Sequence, residues 1–305
     1  MTYNLDFSED GLVEQPSIKL LETLGWKFVD CMEESFPSGG RSELGRETRR
    51  DVLLLTRLEE AIQRLNPDLE LAAVSATVEE LRRERGFVEL VKANQEIHRL
   101  MIDGVRVEFR DQDGNMTSEN VRIIDWENVE NNDFLLTSQL WITGEMYTRR
   151  CDLVGFVNGL PLAVIECKSP YITNPMEAGI NQLFRYCNTR RPDENEGAER
   201  LFHYNQIMVS THNKHARLGT ITSRYEHYLE WKDVYPKKIE DYNNKSSQEI
   251  LIDGIFNHQN FLDIIQNFIV FEVEGGKLIK KITRYQQFRA VHKTINNIKT
   301  GKSKK

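Results

Sequence analysis

At 305 residues, 39% of them hydrophobic, the chain can bury a full domain core, which excludes a disordered or fibrous protein. No apolar run approaches the ~20 residues of a membrane span. The N-terminal residues lack the regions of a secretory signal, and four cysteines without a CxxC pair or Cys/His ligand spacing favour free thiols over bridges or a zinc site, so the expected location is the cytoplasm with no membrane partner.

Charge points the same way as composition but unevenly. The net charge of −7 is unusual for a nucleic-acid enzyme, and ten basic residues with no acidic one from Lys277 onward leave the preceding body at −17. Another domain or subunit would then supply most of any affinity for DNA.

The elements follow from periodicity. Apolar Ile18, Leu20, Leu21 and Leu24 predict a first helix over 14–24, stopped by Gly25. Further helices are predicted over 46–64, 78–85 and 88–101, the last ending near Gly104. Alternation then begins: Val105, Val107 and Phe109 share a face, Asp111 to Gly114 is a turn, and a strand resumes over 121–124. Strands over 135–142 and 152–157 follow, then Asn158-Gly159 as a tight hairpin turn and an apolar strand over 162–168. Asn174-Pro175-Met176-Glu177 reads as a capped helix start, with the helix reaching 188. Beyond it a charged loop over 190–200, a buried strand over 206–211, a helix over 224–231 and a surface connection over 237–248 are predicted. A final helix over 260–268 precedes Gly275-Gly276 and a basic helical tail.

Residues two apart on a strand share a face, so Glu166 and Lys168 project together while Cys167 turns away. Across the hairpin, Asp152 brings a second carboxylate within reach, and hard oxygen donors of this kind suit Mg2+ with several waters retained. Such a site suffices for phosphodiester hydrolysis: the cation polarises the phosphate and activates water, while Lys168 orients that water or offsets developing charge. Taken alone, Glu166 and Lys168 also fit an exposed charged pair. Their place after Leu162, Ala163, Val164 and Ile165 argues otherwise, because unpaired charges at the end of a buried strand cost several kcal/mol. Gln182 and Tyr186, four apart on the following helix, share one face and can reach towards the site or a nucleotide.

The stretch RRCDLVGFVNGLPLAVIECKSP, followed by NQLFRYCN, resembles the nuclease domain of the restriction subunit of type I restriction-modification enzymes. That family's Asp, NGxPL turn, ExK and QxxxY fall on Asp152, Asn158 to Leu162, Glu166 with Lys168, and Gln182 with Tyr186. HARLGT at 215–220, Trp231-Lys232 and the N-terminal VEQPSIKLLETLGW also look like the family. The resemblance implies an α/β fold with a PD-(D/E)xK core, a mixed sheet flanked by helices and a helical N-terminal region. It implies that Asp152, Glu166 and the Cys167 carbonyl bind Mg2+, that Lys168 is catalytic, and that Gln182 and Tyr186 support cleavage of double-stranded DNA. Glu14 would be an accessory acid, although a surface glutamate is the plainer reading.

The stretch RYQQFRAVHKTINNI looks like the adenine-recognising segment of superfamily-two translocases, which would set Gln286 or Gln287 against ATP when a motor is present. Gly301-Lys302-Ser303 mimics the end of a phosphate-binding loop, but Asn296 stands where its first glycine belongs. The expected organisation is an endonuclease domain over 1–260 and, over 261–305, a linker with the start of a truncated motor. Modification and specificity subunits would be the partners. Two other readings stay open: a catalytically silent docking module that keeps the nuclease fold, and an autonomous metal-dependent nuclease. The seven histidines, His212 and His215 included, lack companion ligands and read as solvated loop residues.

Overall fold

The computed structural model describes residues 9–301; the tail lysines Lys302, Lys304 and Lys305, and most of the GKS mimic, lie outside them. In chain order the first half gives α1 (Gln15–Thr23), β1 (Lys27–Asp30), α2 (Leu55–Leu65), α3 (Leu71–Arg82), α4 (Leu90–Asp103), β2 (Val105–Arg110), β3 (Met116–Val121) and β4 (Phe134–Thr143). There follow β5 (Thr148–Val157), β6 (Leu160–Cys167), α5 (Pro175–Tyr186), α6 (Glu199–Tyr204), β7 (Ile207–Thr211) and β8 (Ala216–Gly219). The last elements are α7 (Ser247–Phe256), α8 (His258–Asn267), β9 (Ile269–Glu274), β10 (Lys277–Ile282) and α9 (Tyr285–Lys299).

A near-continuous apolar strand needs cover on both faces, and β6, buried along its whole length, sits inside a six-stranded sheet of order β1-β4-β5-β6-β7-β8. The β1–β4 and β6–β7 pairs are parallel and the rest antiparallel, so the sheet is mixed, with α5 on β6 and β7, α6 on β6 and α7 on β8. The β5–β6 turn takes the predicted form: Asn158 and Gly159 have φ of 51° and 80°. Asn158 is fixed there because its amide donates to the Ile123 carbonyl at 2.9 Å and to Asn132 Oδ1 at 2.8 Å. Trp26 joins α1 to α7 by donating its indole N–H to the Phe256 carbonyl at 2.8 Å. All four cysteines are free and buried. Among the described residues no helix is long and apolar enough to cross a membrane.

Several predicted elements shift, each for a visible reason. The helix expected from Arg46 begins only at Leu55, because polar side chains of 42–51 hydrogen-bond locally and compete with helix formation: Asp51 accepts from the Glu47 and Thr48 amides at 3.0 and 2.9 Å. The helix expected over 78–85 starts at Leu71. The second strand of the β2–β3 hairpin ends where a strand was expected to resume, since Asn66 takes both backbone groups of Arg122, accepting at 3.1 Å and donating at 2.8 Å. Asn174 is left-handed and makes no side-chain cap, so the proline alone marks the start of α5, which stops at Tyr186. The charged loop over 190–200 runs into α6. Over 224–231 only Tyr225–His227 form a turn, and Leu229 instead pairs with Leu218.

The C-terminal region departs further. The expected surface connection ends in α7, announced by a Ser246-x-x-Glu249 capping box whose Ser246 accepts from the Glu249 amide at 3.2 Å. Gly275-Gly276, with positive φ, turns the β9–β10 hairpin, and the expected helical tail follows only after it, as α9. The buried Lys280 docks that hairpin onto the body by donating to Asn94 Oδ1 at 2.8 Å and Gln206 Oε1 at 2.6 Å. Phe261 and Leu262 of α8 share one core with the sheet and with Phe288 of α9.

The segment between β1 and α2 has no regular structure, and Arg46 is its buried anchor. Arg46 has no solvent exposure, pairs with Glu34 and donates to the carbonyls of Asp51 at 3.0 Å and Trp141 at 3.1 Å. Removing one partner of a buried pair strands the other, so Arg46→Ala should lower unfolding free energy by about 3–5 kcal/mol. Arg41→Ala, which breaks an exposed pair with Glu59, should cost under about 1 kcal/mol, and denaturant midpoints compare the two.

Candidate active site

Pairing of Leu153 with Ile165 sets Asp152 directly across from Glu166, and the parallel pairing of β6 with β7 sets Ser210 beside Glu166. The predicted constellation is therefore assembled. Asp152 Oδ2 accepts from the Cys167 amide at 2.8 Å, continuing the ladder through a side chain. Lys168 Nζ hydrogen-bonds Glu166 Oε1, donates to the Cys167 carbonyl at 2.9 Å and lies 3.9 Å from Asp152 Oδ2. One ammonium thus occupies the point where three oxygens of β5 and β6 converge.

Burial pushes the Glu166 carboxyl well up, and the charge of Asp152 adds to the push. Asp152 is raised too, by burial, with Lys168 opposing. Burial works against the charge on Lys168, but Glu166 and Asp152 outweigh it and hold the ammonium above its ordinary range. Two desolvated carboxylates beside one lysine leave the site short of positive charge. Glu166 Oε2 is buried and accepts from no donor among the described residues, and the Asp152 carboxyl is within hydrogen-bond reach of Glu166. The donor set of two carboxylates and the Cys167 carbonyl is of the kind a hard divalent cation takes, with water or phosphate oxygens completing the shell. Among the described residues no three His, Cys, Asp or Glu side chains gather as a fuller metal cluster.

Gln182 and Tyr186 stand one step back from these groups. Gln182 Nε2 donates to the Tyr186 hydroxyl at 2.5 Å, and that hydroxyl donates to the Arg150 carbonyl at 2.6 Å. The pair braces β5 two residues before Asp152. Gly179 of α5 explains how the helix comes so close: a Cβ there would lie 2.2 Å from Ser210 Oγ and 3.4 Å from Lys168 Cγ. A glycine inside an amphipathic helix was the available signal for this contact. Glu9, which accepts from the Ser169 amide at 2.8 Å and lies 3.9 Å from Lys168 Nζ, carries no such signal.

Gln286 and Gln287 have separate fates at the start of α9. Gln287 Oε1 accepts from the Arg284 amide at 2.9 Å and caps the helix, whereas Gln286 lines an open cavity with Tyr285, Arg217 and Lys232. Neither is in contact with the carboxylate pair. The histidines are not all solvated: His98 and His203 are buried in helices, and burial carries each down to about 4.

Glu14 is the main correction at the site. It is buried rather than on the surface, and both its oxygens accept from Gln139 Nε2, at 2.9 and 2.7 Å. Gln139 lies across from Asp152 with φ of 52°, a strained conformation for a non-glycine residue. Burial, with a contribution from Asp152, raises Glu14 from 4.5 to about 7. The stability it contributes is therefore fully present below pH 4.5 and lost as pH rises through about 7. In EDTA, Glu14→Gln should match wild type near pH 4 and be more stable near pH 8 by roughly 3 kcal/mol, at ~1.4 kcal/mol per pKa unit. Equal denaturant midpoints at both pH values would contradict this.

Known proteins share this arrangement of sequence. The chain is 32% identical over 294 residues to the type I restriction enzyme HindI endonuclease subunit of Haemophilus influenzae, covering 93% of this chain and 26% of that protein. It is 28% identical over 323 residues to the putative type I restriction enzyme MjaIXP endonuclease subunit of Methanocaldococcus jannaschii, covering 97% and 29% respectively. The chain thus spans less than a third of the length of these relatives. Residues 6–227, which include every element of the β5–β6–α5 site, match the type I restriction enzyme R protein N terminus, and the chain belongs to that family.

Proposed function

We propose that the chain is the Mg2+-dependent endonuclease module of a type I restriction enzyme, of the PD-(D/E)xK type, hydrolysing phosphodiester bonds of double-stranded DNA. The observation that carries this reading is the buried Glu166 Oε2, reached by no donor among the described residues, beside a second desolvated carboxylate. A surface charge pair would not leave such an atom, whereas a cation held by Asp152, Glu166 and the Cys167 carbonyl would satisfy it. When bound, Mg2+ supplies Lewis-acid polarisation of the phosphate and lowers the pKa of a coordinated water.

The chain's own residues do the remainder. Among the described residues Lys168 is the cation that touches the site's oxygens, and with Glu166 engaged elsewhere its Nζ is free to hold the attacking water or to offset charge on a phosphate oxygen. Asp152 is kept in place by the Cys167 amide, and the apolar β6 excludes bulk water from the far side. Gln182 and Tyr186 act through Arg150 by holding β5, so they support cleavage as positioning residues.

Sequence recognition and ATP-driven translocation belong to other parts of such an enzyme: specificity and modification subunits, and a motor for which 261–305 forms the approach. Gln286 would meet adenine only with that motor present. The acidic body agrees with a cytoplasmic module that relies on its partners to bring DNA.

The test is cleavage of duplex DNA by the full-length subunit assembled with its partners, with Mg2+ and ATP. Asp152→Ala, Glu166→Ala and Lys168→Ala should each reduce the rate on the order of 10²-fold or more, with DNA-dependent ATP hydrolysis retained. Undiminished cleavage by these variants would remove the assignment.

A further inference from the structure

The face of β5 that carries Asp152 also carries Arg150, two residues earlier on the strand and therefore roughly 7 Å along it. Arg150 pairs across the sheet with Trp141 of β4, and its guanidinium lies 5.4 Å from the indole centroid. A second guanidinium, that of Arg49, lies 5.4 Å from the same ring. Arg49 is delivered by the irregular segment before α2, whose carbonyl at Arg49 accepts from the Thr143 amide at 2.8 Å. That segment is clamped by Arg46, which reaches the Trp141 carbonyl itself.

What sets this cluster apart is its placement, two guanidinium groups on one indole beside the carboxylate pair. Some exposed arginines, such as Arg41, Arg83 and Arg191, find carboxylates, and others, such as Arg99, Arg106 and Arg122, form no ion pair among the described residues. Arg49 and Arg150 are exposed and form no ion pair among the described residues, and the side-chain hydrogen bond of Arg150 goes to Met32 Sδ at 3.7 Å. Two like charges held against one indole in an acidic body are stable alone only because water screens them. A planar guanidinium offers paired donors that match phosphate oxygens, and the QxxxY brace fixes the backbone of Arg150 itself.

We infer that Arg49, Trp141 and Arg150 form a phosphate-contacting track that lays the backbone of duplex DNA across the site, with Arg150 positioning the strand beside Asp152. This rests on the nuclease reading above for its substrate, and the two arginines are positioning residues. Its partner is the phosphodiester backbone and no particular base, in keeping with recognition delegated elsewhere.

Binding and cleavage are measured separately. Duplex affinity of the full 305-residue chain is followed across salt concentration, and cleavage is followed in the assembled enzyme, for Arg49→Ala/Arg150→Ala, Arg49→Lys/Arg150→Lys and Asp152→Asn. Each lost phosphate contact lowers the slope of log affinity against log salt by ~0.9. The double alanine variant should therefore lose about two units of slope and require more DNA for half-maximal cleavage, while the double lysine variant keeps the slope. Asp152→Asn should keep the slope and lose cleavage. An unchanged slope in the double alanine variant, with its unfolding midpoint intact, overturns the track whether cleavage falls or not. Cleavage that survives Asp152→Asn would instead sink the nuclease reading, and the salt slope would still decide the track.

Discussion

A carboxylate with no solvent exposure, at the end of a strand buried from Leu160 to Cys167, is the constraint around which the structure is arranged. Moving an unpaired charge into such a setting costs several kcal/mol, and each neighbouring element bears on that cost. The Asn158-Gly159 turn sets the register that places Asp152 opposite Glu166. β7 continues the ladder past Cys167, since the Lys168 amide donates to the Thr211 carbonyl at 2.9 Å. The missing side chain at Gly179 lets α5 close over the pair. Lys168 neutralises part of the charge and leaves the rest uncompensated.

That imbalance separates the site from an ordinary buried ion pair. A stabilising pair satisfies every lone pair, yet among the described residues no donor reaches Glu166 Oε2, and Asp152, Glu9 and Glu14 bring further carboxyl groups to the site. Burial raises the Glu166, Asp152 and Glu14 carboxyls together, so the folded chain favours their protonated forms.

The sequence disclosed the site more fully than the scaffold around it. Period-two spacing and the Asn-Gly turn were enough to place Asp152, Glu166 and Lys168 together, because strand pairing across a tight turn is local and its geometry is fixed. Tyr186 was placed on the right face, but its partner, the Arg150 carbonyl, is a backbone group that no side-chain pattern reveals. Glu14 was misjudged because its burial depends on Gln139, a residue 125 positions away in an unusual conformation. The segment from Arg46 to Leu54 reads as helical by composition, and only the tertiary bonds of Arg46 and the turn around Asp51 override that. Around 121–124 and 224–231, long-range hydrogen bonds likewise decided against local preference. The capping box at Ser246 and the glycine pair at 275–276 were legible signals that the broad polarity of those stretches concealed.

The four buried thiols have a practical side. Burial pushes Cys31 up to about 12 and Cys187 to about 11, and raises Cys151 and Cys167 well above the ordinary thiol range. Thiolate is the reactive form towards maleimides and disulfide reagents, so the native fold is nearly silent to them. A single cysteine introduced on an exposed loop would then carry a fluorophore or spin label against an unlabelled background. The chain is thereby suited to distance measurements without first removing its four buried cysteines.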